Sequence, residues 1–589
     1  MCYNNVLKKH FFGVNKLKNL LKYLRGYRKE AILGPLGKLC EATLELIVPL
    51  VIASIIDRGI GGGDKMHIIY MGLVLVLLGL VGLGFSVVAQ YFSAKAAVGF
   101  VTKTRHALFE HIGTLSYSDI DNLGTSTMIT RMTTDASRVQ SGLNLALRLL
   151  LRSPFVVFGA MIMAFVVDKK SGVTFAITIP LLSVVVFGIM IITMPLYKKV
   201  QGGVDKILGR TRENLSGVRV VRAFGKEKNE IDAFERDNEN LTHVQKYVGK
   251  ISALLNPLTY VIINLGIIFL IYVGALQVDS GDLTQGEVIA LYNYMSQILV
   301  ELIKLANLII TISKALASAS RISSVLEIKS SQSFGERCDG EDGDYAVEFK
   351  NVALKYAKAG ENSIEGINLA VRHGETIGII GGTGSGKTSL INLIPRFYDA
   401  TEGEILIDGA PIKEYTKDSL ISKIGIVPQK AMLFSGTIAD NLRWGKSDAT
   451  EEEMLRAIEI AQAADVVEAK GGLDARVEGG GKNFSGGQRQ RLTIARAIVG
   501  NPKILILDDS ASALDYATDA RLRRSIREMG GNTTVFIVSQ RASSVMHADK
   551  IVVLDDGVAV AQGSHDELLK SSDVYREIYE SQFGEEVVV

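Results

Sequence analysis

The sequence predicts a multidomain chain: a six-helix α-helical transmembrane domain with long cytoplasmic helical hairpins, followed by an α/β P-loop domain. Three observations predict it. Six apolar runs, each long enough to cross a bilayer at about 20 residues, lie before residue 315. Two of the connections between them are long, polar and helical in period. Further on, Gly381-Gly382-Thr383-Gly384-Ser385-Gly386-Lys387-Thr388 follows a short apolar run and precedes a helical one. Strand, glycine-rich loop and helix in that order cradle phosphates on backbone N–H groups.

Composition bounds the rest. A chain of 589 residues exceeds one ordinary core. Lys+Arg 65 against Asp+Glu 63, a net charge of +2, argues against a nucleic-acid surface. Cys2, Cys40 and Cys338 are scattered and suggest neither a disulfide framework nor a metal site. The N-terminus carries no pattern of a cleavable signal peptide.

In chain order, residues 14–29 pattern as an amphipathic helix with Val14, Leu17, Leu20, Leu21 and Leu24 on one face. Lys16, Lys18, Lys22, Arg25 and Lys29 sit mostly opposite, which suits an anionic membrane surface. The spans are expected near 31–56, 68–92, 145–167, 172–195, 252–277 and 287–311, within a transmembrane domain of residues 1–327. Lys and Arg are concentrated before residue 30 and in the long connections 96–144 and 196–251. By the positive-inside rule these segments are cytoplasmic, and six spans return the chain to the cytoplasm of a multi-pass plasma-membrane protein. Each long connection reads as a helical hairpin, with tips at Ser116–Gly124 and Glu213–Gly225. Arms of about 25 residues reach roughly 35 Å beyond the bilayer. Charges inside spans are costly and face a cavity or one another. Lys38, Glu41 and Glu45 share a helical face, as do Glu301 and Lys304. They line a substrate cavity, or they pair internally, Lys38 with Glu41 and Lys304 with Glu301.

A polar linker at 328–345 leads to the α/β domain, residues 346–589. Val347–Leu354 alternates as a strand, and Tyr356 after it is either a core aromatic or a stacking surface for adenine. Lys387 can reach β/γ-phosphates, and the Thr388 hydroxyl can ligate Mg²⁺. A strand at 424–429 ends in Gln429, whose carbonyl can join the same metal. The buried strand Lys503–Asp509 delivers Asp508 and Asp509 at its end, one carboxylate for Mg²⁺ and one for the attacking water. Asn483-Phe484-Ser485-Gly486-Gly487-Gln488 precedes a helix expected to start near Arg489, a second phosphate-binding helix N-terminus. One nucleotide cannot easily use both sites within one domain, whereas two domains facing head-to-tail can.

Together these residues resemble the ATP-binding-cassette (ABC) transporter family over nearly the whole chain. Gly381–Thr388, continued by Ser389, is similar to the Walker A motif, Gln429 to the Q-loop and Ile504–Asp508 to Walker B. Phe484–Gln488 resembles the signature motif, with Phe484 replacing the usual Leu, and Ser512-Ala513-Leu514-Asp515 resembles the D-loop. Tyr356 stands where the family has its adenine-stacking aromatic. The resemblance implies an exporter half-transporter that binds ATP and Mg²⁺ and works as a dimer. Each ATP is then held between one chain's Walker A and the other's signature, and the hairpin tips act as coupling helices.

Three departures matter. Asp509 replaces the Glu that usually serves as general base, and Gln540 replaces the His that contacts the γ-phosphate. Val477-Glu478-Gly479-Gly480-Gly481 places its acid one position early. A general base one methylene short, beside a side chain that cannot become cationic, implies an own Walker site that binds ATP and hydrolyses it slowly. The near-intact signature then completes the active site of a second half-transporter, a heterodimeric partner with Glu and His in place. The expected cargo is a small amphiphilic or apolar, drug-like molecule moved outward. Lipid or peptide export, or an ATP-binding regulatory membrane protein without sustained hydrolysis, are the alternatives. A DNA-repair ATPase is excluded by the spans before the P-loop.

Overall fold

The computed structural model describes residues 20–340, 343–357, 359–510, 513–529 and 532–583. The helices up to residue 326 are, in order, α1 (Arg28–Ser54), α2 (Lys65–Thr114), α3 (Tyr117–Leu123), α4 (Thr125–Thr130), α5 (Ala136–Leu149), α6 (Arg152–Val167), α7 (Lys169–Ser216), α8 (Val218–Ala223), α9 (Glu227–Ala253), α10 (Leu255–Asp279) and α11 (Gln285–Leu326). The chain divides into two compact units, Met1–Gly113 with Ser126–Ile328, and Thr114–Thr125 with Lys329–Val589. The first is helical. The second is α/β and includes the tip of the first hairpin.

Six helical stretches are long and apolar enough to cross a membrane. At 50 residues, α2 is roughly 75 Å long, so span and hairpin arm form one continuous rod. The amphipathic pattern at 14–29 lies partly outside the described residues, and its described part is α-helical only at 20–21 and 28–29. Lys22–Tyr27 is a 3₁₀ turn, because the Tyr27 ring packs against Gly99 of α2, where a Cβ would sit 2.1 Å from it. Lys103 covers the same ring at 5.2 Å. Between α4 and α5, Arg131–Asp135 is a π-helical turn. The loosened turn offers the Met132 carbonyl to Arg105 Nε at 3.1 Å, and buried Asp135 receives Arg131 and Arg321.

The apolar core of this unit gathers Leu46, Val157, Phe175, Leu182, Leu270, Leu291 and Tyr294. The Tyr294 hydroxyl donates to the Leu46 carbonyl at 2.6 Å. Charges in the spans meet one another. Lys38 contacts Glu41 at 2.5 Å and the Ser86 hydroxyl at 2.9 Å. Arg152 bridges Glu301 at 2.8 Å and Glu45 at 2.6 Å, while Lys304 and Ser153 also bind Glu301, at 2.9 and 2.8 Å. Arg152 thereby ties α1, α6 and α11 together.

The α/β unit has three sheets. A six-stranded one runs β12-β11-β3-β10-β9-β6, built from β3 (Thr376–Gly381), β6 (Ile424–Val427), β9 (Ile504–Asp508), β10 (Thr534–Val538), β11 (Lys550–Asp555) and β12 (Val558–Gly563). All neighbours pair in parallel except β11 with β12. An antiparallel sheet joins β1 (Tyr345–Leu354), β2 (Ile364–Arg372), β4 (Glu402–Ile407) and β5 (Ala410–Pro411), and a short pair joins β7 (Gly436–Thr437) to β8 (Arg476–Val477). Within the stretch expected as a linker, Gly335 and Arg337 donate backbone N–H groups to Tyr415 and Glu414. That part of it is pinned to the α/β unit.

Glu301 is 5% exposed at its side chain, so removing its main partner leaves a buried charge poorly compensated. Arg152→Met is expected to cost about 3 kcal/mol, read as a lower midpoint in thermal unfolding of the detergent-solubilised protein. Arg152→Met combined with Glu301→Met is expected to recover most of the loss. The remaining Glu45 and Lys304 are 45% and 48% exposed and can be hydrated.

Candidate functional site

Parallel pairing places β3, β6, β9 and β10 side by side with their C-terminal ends at one edge. Val538 aligns with both Asp508 and Ile379, and Val427 with Leu507. The residues just past these ends are the P-loop, Gln429, Asp509 and Gln540. Ligands of open α/β sheets bind at such carboxyl ends. Here the edge holds a cavity of about 540 Å³ lined by Thr383, Gly384, Gly386, Lys387, Thr388, Ser389, Gln429, Asp508, Asp509 and Gln540.

The loop geometry requires glycine at two places. Gly386 has φ +94, and a Cβ on it would meet the Ser363 carbonyl at 2.7 Å. A Cβ on Gly381 would meet the Leu554 carbonyl of β11 at 2.1 Å. The helix after the loop spans Lys387–Ile391, two residues earlier than the apolar pattern from Ser389 suggested, because Gly386 supplies the left-handed cap. Lys387 Nζ folds back onto the carbonyls of Gly381 (2.9 Å) and Gly382 (2.5 Å) and the Ser385 hydroxyl (3.3 Å). Burial pushes the Lys387 ammonium below its ordinary range, partly opposed by Asp509 and Asp508. Thr388 Oγ1 lies 3.2 Å from each oxygen of Asp508. Burial holds that carboxyl above the ordinary range against Thr388, with the Asp509 charge adding to the shift and Lys387 opposing it. Asp509 has φ +45, a conformation Asp takes more readily than most residues. Gln429 Nε2 stands 3.5 Å from its Oδ2. Gln540 is exposed, its carbonyl fixed by Gln582 Nε2 at 2.9 Å.

Other expected site residues stand apart from this cavity. Tyr356 is half-buried, its hydroxyl 3.0 Å from Ser389 Oγ and its ring edge-on to Tyr398 at 5.0 Å. Phe484 is buried beneath Lys470. Ser485 caps the helix Gly486–Ile498 in a capping box with Gln488. That helix starts three residues before the expected Arg489, because the Ser485–Gln488 box closes its first turn. Ser485 and Gly486 are exposed. Ala513 and Leu514 back onto Gly487, and Asp515 caps the next helix by accepting from Thr518 N at 2.9 Å. Ser512 lies outside the described residues. Lys38, Glu41, Glu45 and Glu301 take part in the ion pairs described above.

Sequence reasoning missed the far wall of the cavity: Glu361, Asn362, Ser363, Asp556 and Gly557. Asp556-Gly557 is a recognisable hairpin-turn dipeptide. Its position beside the P-loop comes from β11 pairing with β3, which no local pattern carries.

The sequence matches bear on this site directly. Residues 31–302 match the family model of the ABC transporter transmembrane region, and residues 364–512 that of the ABC transporter. An uncharacterized ABC transporter ATP-binding protein of Mycobacterium tuberculosis is 36% identical over 574 residues, covering 96% of this chain and 97% of that protein. The chain belongs to the ABC transporter family. An uncharacterized ABC transporter ATP-binding protein of Bacillus subtilis is 34% identical over 97% of this chain and 99% of that protein. An ATP-dependent lipid A-core flippase of Hahella chejuensis is 30% identical over 98% of this chain and 99% of that protein. A bacterial Atm1-family ABC exporter solved with ATP bound has the same fold, at a TM-score of 0.78 and 24% identity over 95% of this chain and 99% of that one. Six spans followed by one nucleotide-binding unit make this ABC transporter a half-transporter with the exporter fold, a multi-pass membrane protein whose ATP-binding domain drives transport.

The first hairpin tip docks onto Ser331 and the Phe397–Tyr398 pair of this transporter's α/β unit. Asp119 Oδ2 accepts from Ser331 N at 2.9 Å, and the Ser116 and Ser331 hydroxyls meet at 2.7 Å. Burial pushes the Asp119 carboxyl up, but hydrogen bonds from Ser116 and Ser331 outweigh it and hold the group low. Its contribution is therefore complete above the ordinary pKa of about 4 and is lost only as pH falls through the lower folded value. Tyr117 packs on Phe397 at 4.5 Å, and the Tyr398 hydroxyl donates to Asp121 at 2.6 Å. A relay of side chains thus runs from Asp121 through Tyr398 and Tyr356 to Ser389 in the cavity. Tyr398→Phe keeps the rings and removes one charge-assisted hydrogen bond, worth about 1.5 kcal/mol. Amide exchange across Ser116–Gly124, followed by mass spectrometry, is expected to quicken roughly tenfold, with ATP affinity unchanged within about twofold.

Proposed function

We propose that this half-transporter is the ATP-holding subunit of a heterodimeric exporter. The observation that carries this reading is the pair Asp509 and Gln540, which face the P-loop across one cavity. Asp is one methylene shorter than Glu, and a misplacement near 1 Å at a reacting centre costs about a hundredfold in rate. Gln540 donates a hydrogen bond to phosphate but cannot carry positive charge. The cradle itself is complete. Lys387 stands to exchange its loop carbonyls for phosphate oxygens.

Mg²⁺ fits the residues present. Thr388 and Asp508 converge within 3.2 Å, and with Gln429 they form an all-oxygen donor set suited to a hard cation. When bound, the ion neutralises charge on the β- and γ-phosphates.

The signature Ser485–Gln488 opens to solvent at a helix N-terminus and serves the nucleotide of the facing chain. Two exposed apolar surfaces support a partner chain: Phe224 at the second hairpin tip, 74% exposed, and the stacked pair Phe434 and Trp444. The α/β unit and N-terminus lie in the cytoplasm, and the spans in the plasma membrane. The cargo is an amphiphile. The sequence suggests a drug-like molecule, and relatives named lipid A-core flippases support lipid as the second reading.

ATPase activity in reconstituted membranes tests the proposal. The chain alone is expected to turn over about a hundredfold more slowly than its complex with a half-transporter carrying Glu and His. In that complex Asp509→Asn is expected to change turnover less than about twofold, and Gln in place of the partner's catalytic Glu to abolish it. Equal turnover by the chain alone would indicate a homodimer of competent sites. No turnover in the complex would indicate a regulatory ATP-binding protein. Asp509→Glu with Gln540→His is expected to raise the chain's own rate toward that of the complex.

A further inference from the structure

In the helical unit a cleft of about 510 Å³ opens between the start of α5 and the last third of α11, lined by Thr133, Thr134, Ser137, Arg138, Thr311 and Lys314. Next to it the two helices cross closely, since a Cβ on Gly142 would sit 2.1 Å from Ala315 Cβ. The cleft is therefore shaped by small residues rather than by a gap in packing.

Its two cations differ from those of this unit that meet carboxylates. Lys38, Arg152 and Lys304 each hold a carboxylate within 2.9 Å, and Arg131 and Arg321 share Asp135. Among the described residues Arg138 and Lys314 are both exposed and hold no carboxylate, although the hydroxyls of Thr133, Thr134, Ser137, Ser141 and Thr311 line one opening with them. Further along the same side of α5, Asn144 Oδ1 and Arg148 Nε are buried without a hydrogen-bond partner. Unneutralised positive charge and unused hydrogen-bonding capacity thus lead from the cleft toward Arg152. The threonine methyls, Ala315 and the aliphatic stems of Arg138 and Lys314 supply apolar surface beside them.

Position along the helices selects the ligand. Arg138 lies seven residues before the apolar run that begins at 145, and Lys314 three residues after the one that ends at 311. At ~1.5 Å per residue these cations sit roughly 5–10 Å outside the hydrocarbon, at headgroup depth. Basic side chains there attract anionic lipid. We propose that the cleft is a binding site for the anionic, phosphate-bearing headgroup of a membrane amphiphile in the cytoplasmic leaflet, and that cargo of this class loads through it. The loading role rests on the exporter reading; headgroup binding does not.

Native mass spectrometry of the full-length protein, released from membranes of mixed phosphatidylglycerol and phosphatidylcholine, tests this directly. Wild-type protein is expected to retain phosphatidylglycerol preferentially. Arg138→Gln with Lys314→Gln is expected to lower that preference about thirtyfold, at roughly fivefold per cation. Lys228→Gln with Lys246→Gln, exposed on α9, is expected to leave it unchanged, and binding of an ATP analogue verifies that each variant is folded. Equal retention of the two lipids, an unaltered preference in the cleft variant, or an equal loss in the α9 variant would overturn the proposal. Displacement of phosphatidylglycerol by millimolar glycerol phosphate would assign the cleft to a soluble anion and overturn the amphiphile. Turnover plays no part in the readout, so a chain that binds the headgroup yet fails to export would sink the exporter reading alone.

Discussion

Parallel hydrogen bonding among β6, β9, β10 and β3 is the constraint on which the nucleotide site depends. Parallel strands point the same way, so four chain segments separated by up to about 160 residues end at one edge. The alignment of Val538 with both Asp508 and Ile379 leaves no freedom in which residues meet. A one-residue slip of β9 would turn Asp508 away from Thr388 and reverse every side chain of a fully buried strand. The core that resists this slip, with Ile377, Ile379, Ile504, Ile506, Phe536 and Val538, therefore also sets the metal-binding geometry. Stability and chemistry share the same register.

In the helical unit the corresponding constraint is charge in an apolar surrounding. Desolvated ions are tolerated where geometry lets them meet. Arg152 meets that condition with two carboxylates on different helices, and Glu301 with three donors. These ties hold α1, α6 and α11 as a group. The interior of that group is close to electroneutral, while cations at its cytoplasmic end are not. A charge left over in such a bundle is costly, and it persists at Arg138 and Lys314 because both side chains reach the aqueous or headgroup side.

Local motifs made much of this legible in advance. The P-loop, the hairpin tip at Ser116–Gly124 and the Lys38–Glu41 and Glu301–Lys304 pairs all depend on residues within a few positions of each other, where helix period and turn chemistry act. Arg152 was invisible for the opposite reason. Its partners lie 107 and 149 residues away, and an arginine near the start of an apolar run carries no mark of what it will meet. Tyr398, Ser363 and Asp556 were missed likewise, because strand order and the docking of α3 bring them into place. The starts of two helices were misjudged by two or three residues where caps, rather than apolar period, decide the boundary.

Asp121, Tyr398, Tyr356 and Ser389 form a connected path that reaches the cavity through the P-loop helix, at the residue following Thr388. Asp509 and Gln540 lie on other segments, after β9 and β10. A nucleotide seated in the cradle therefore bears on the hairpin tip through occupancy, without any change at the γ-phosphate being needed. Hairpin arm and span are one helix, since α2 runs unbroken from Lys65 to Thr114. The path from Asp121 to Ser389 thus ties the hairpin tip to the residue beside Thr388, so that filling the cradle and ordering the tip draw on the same side chains.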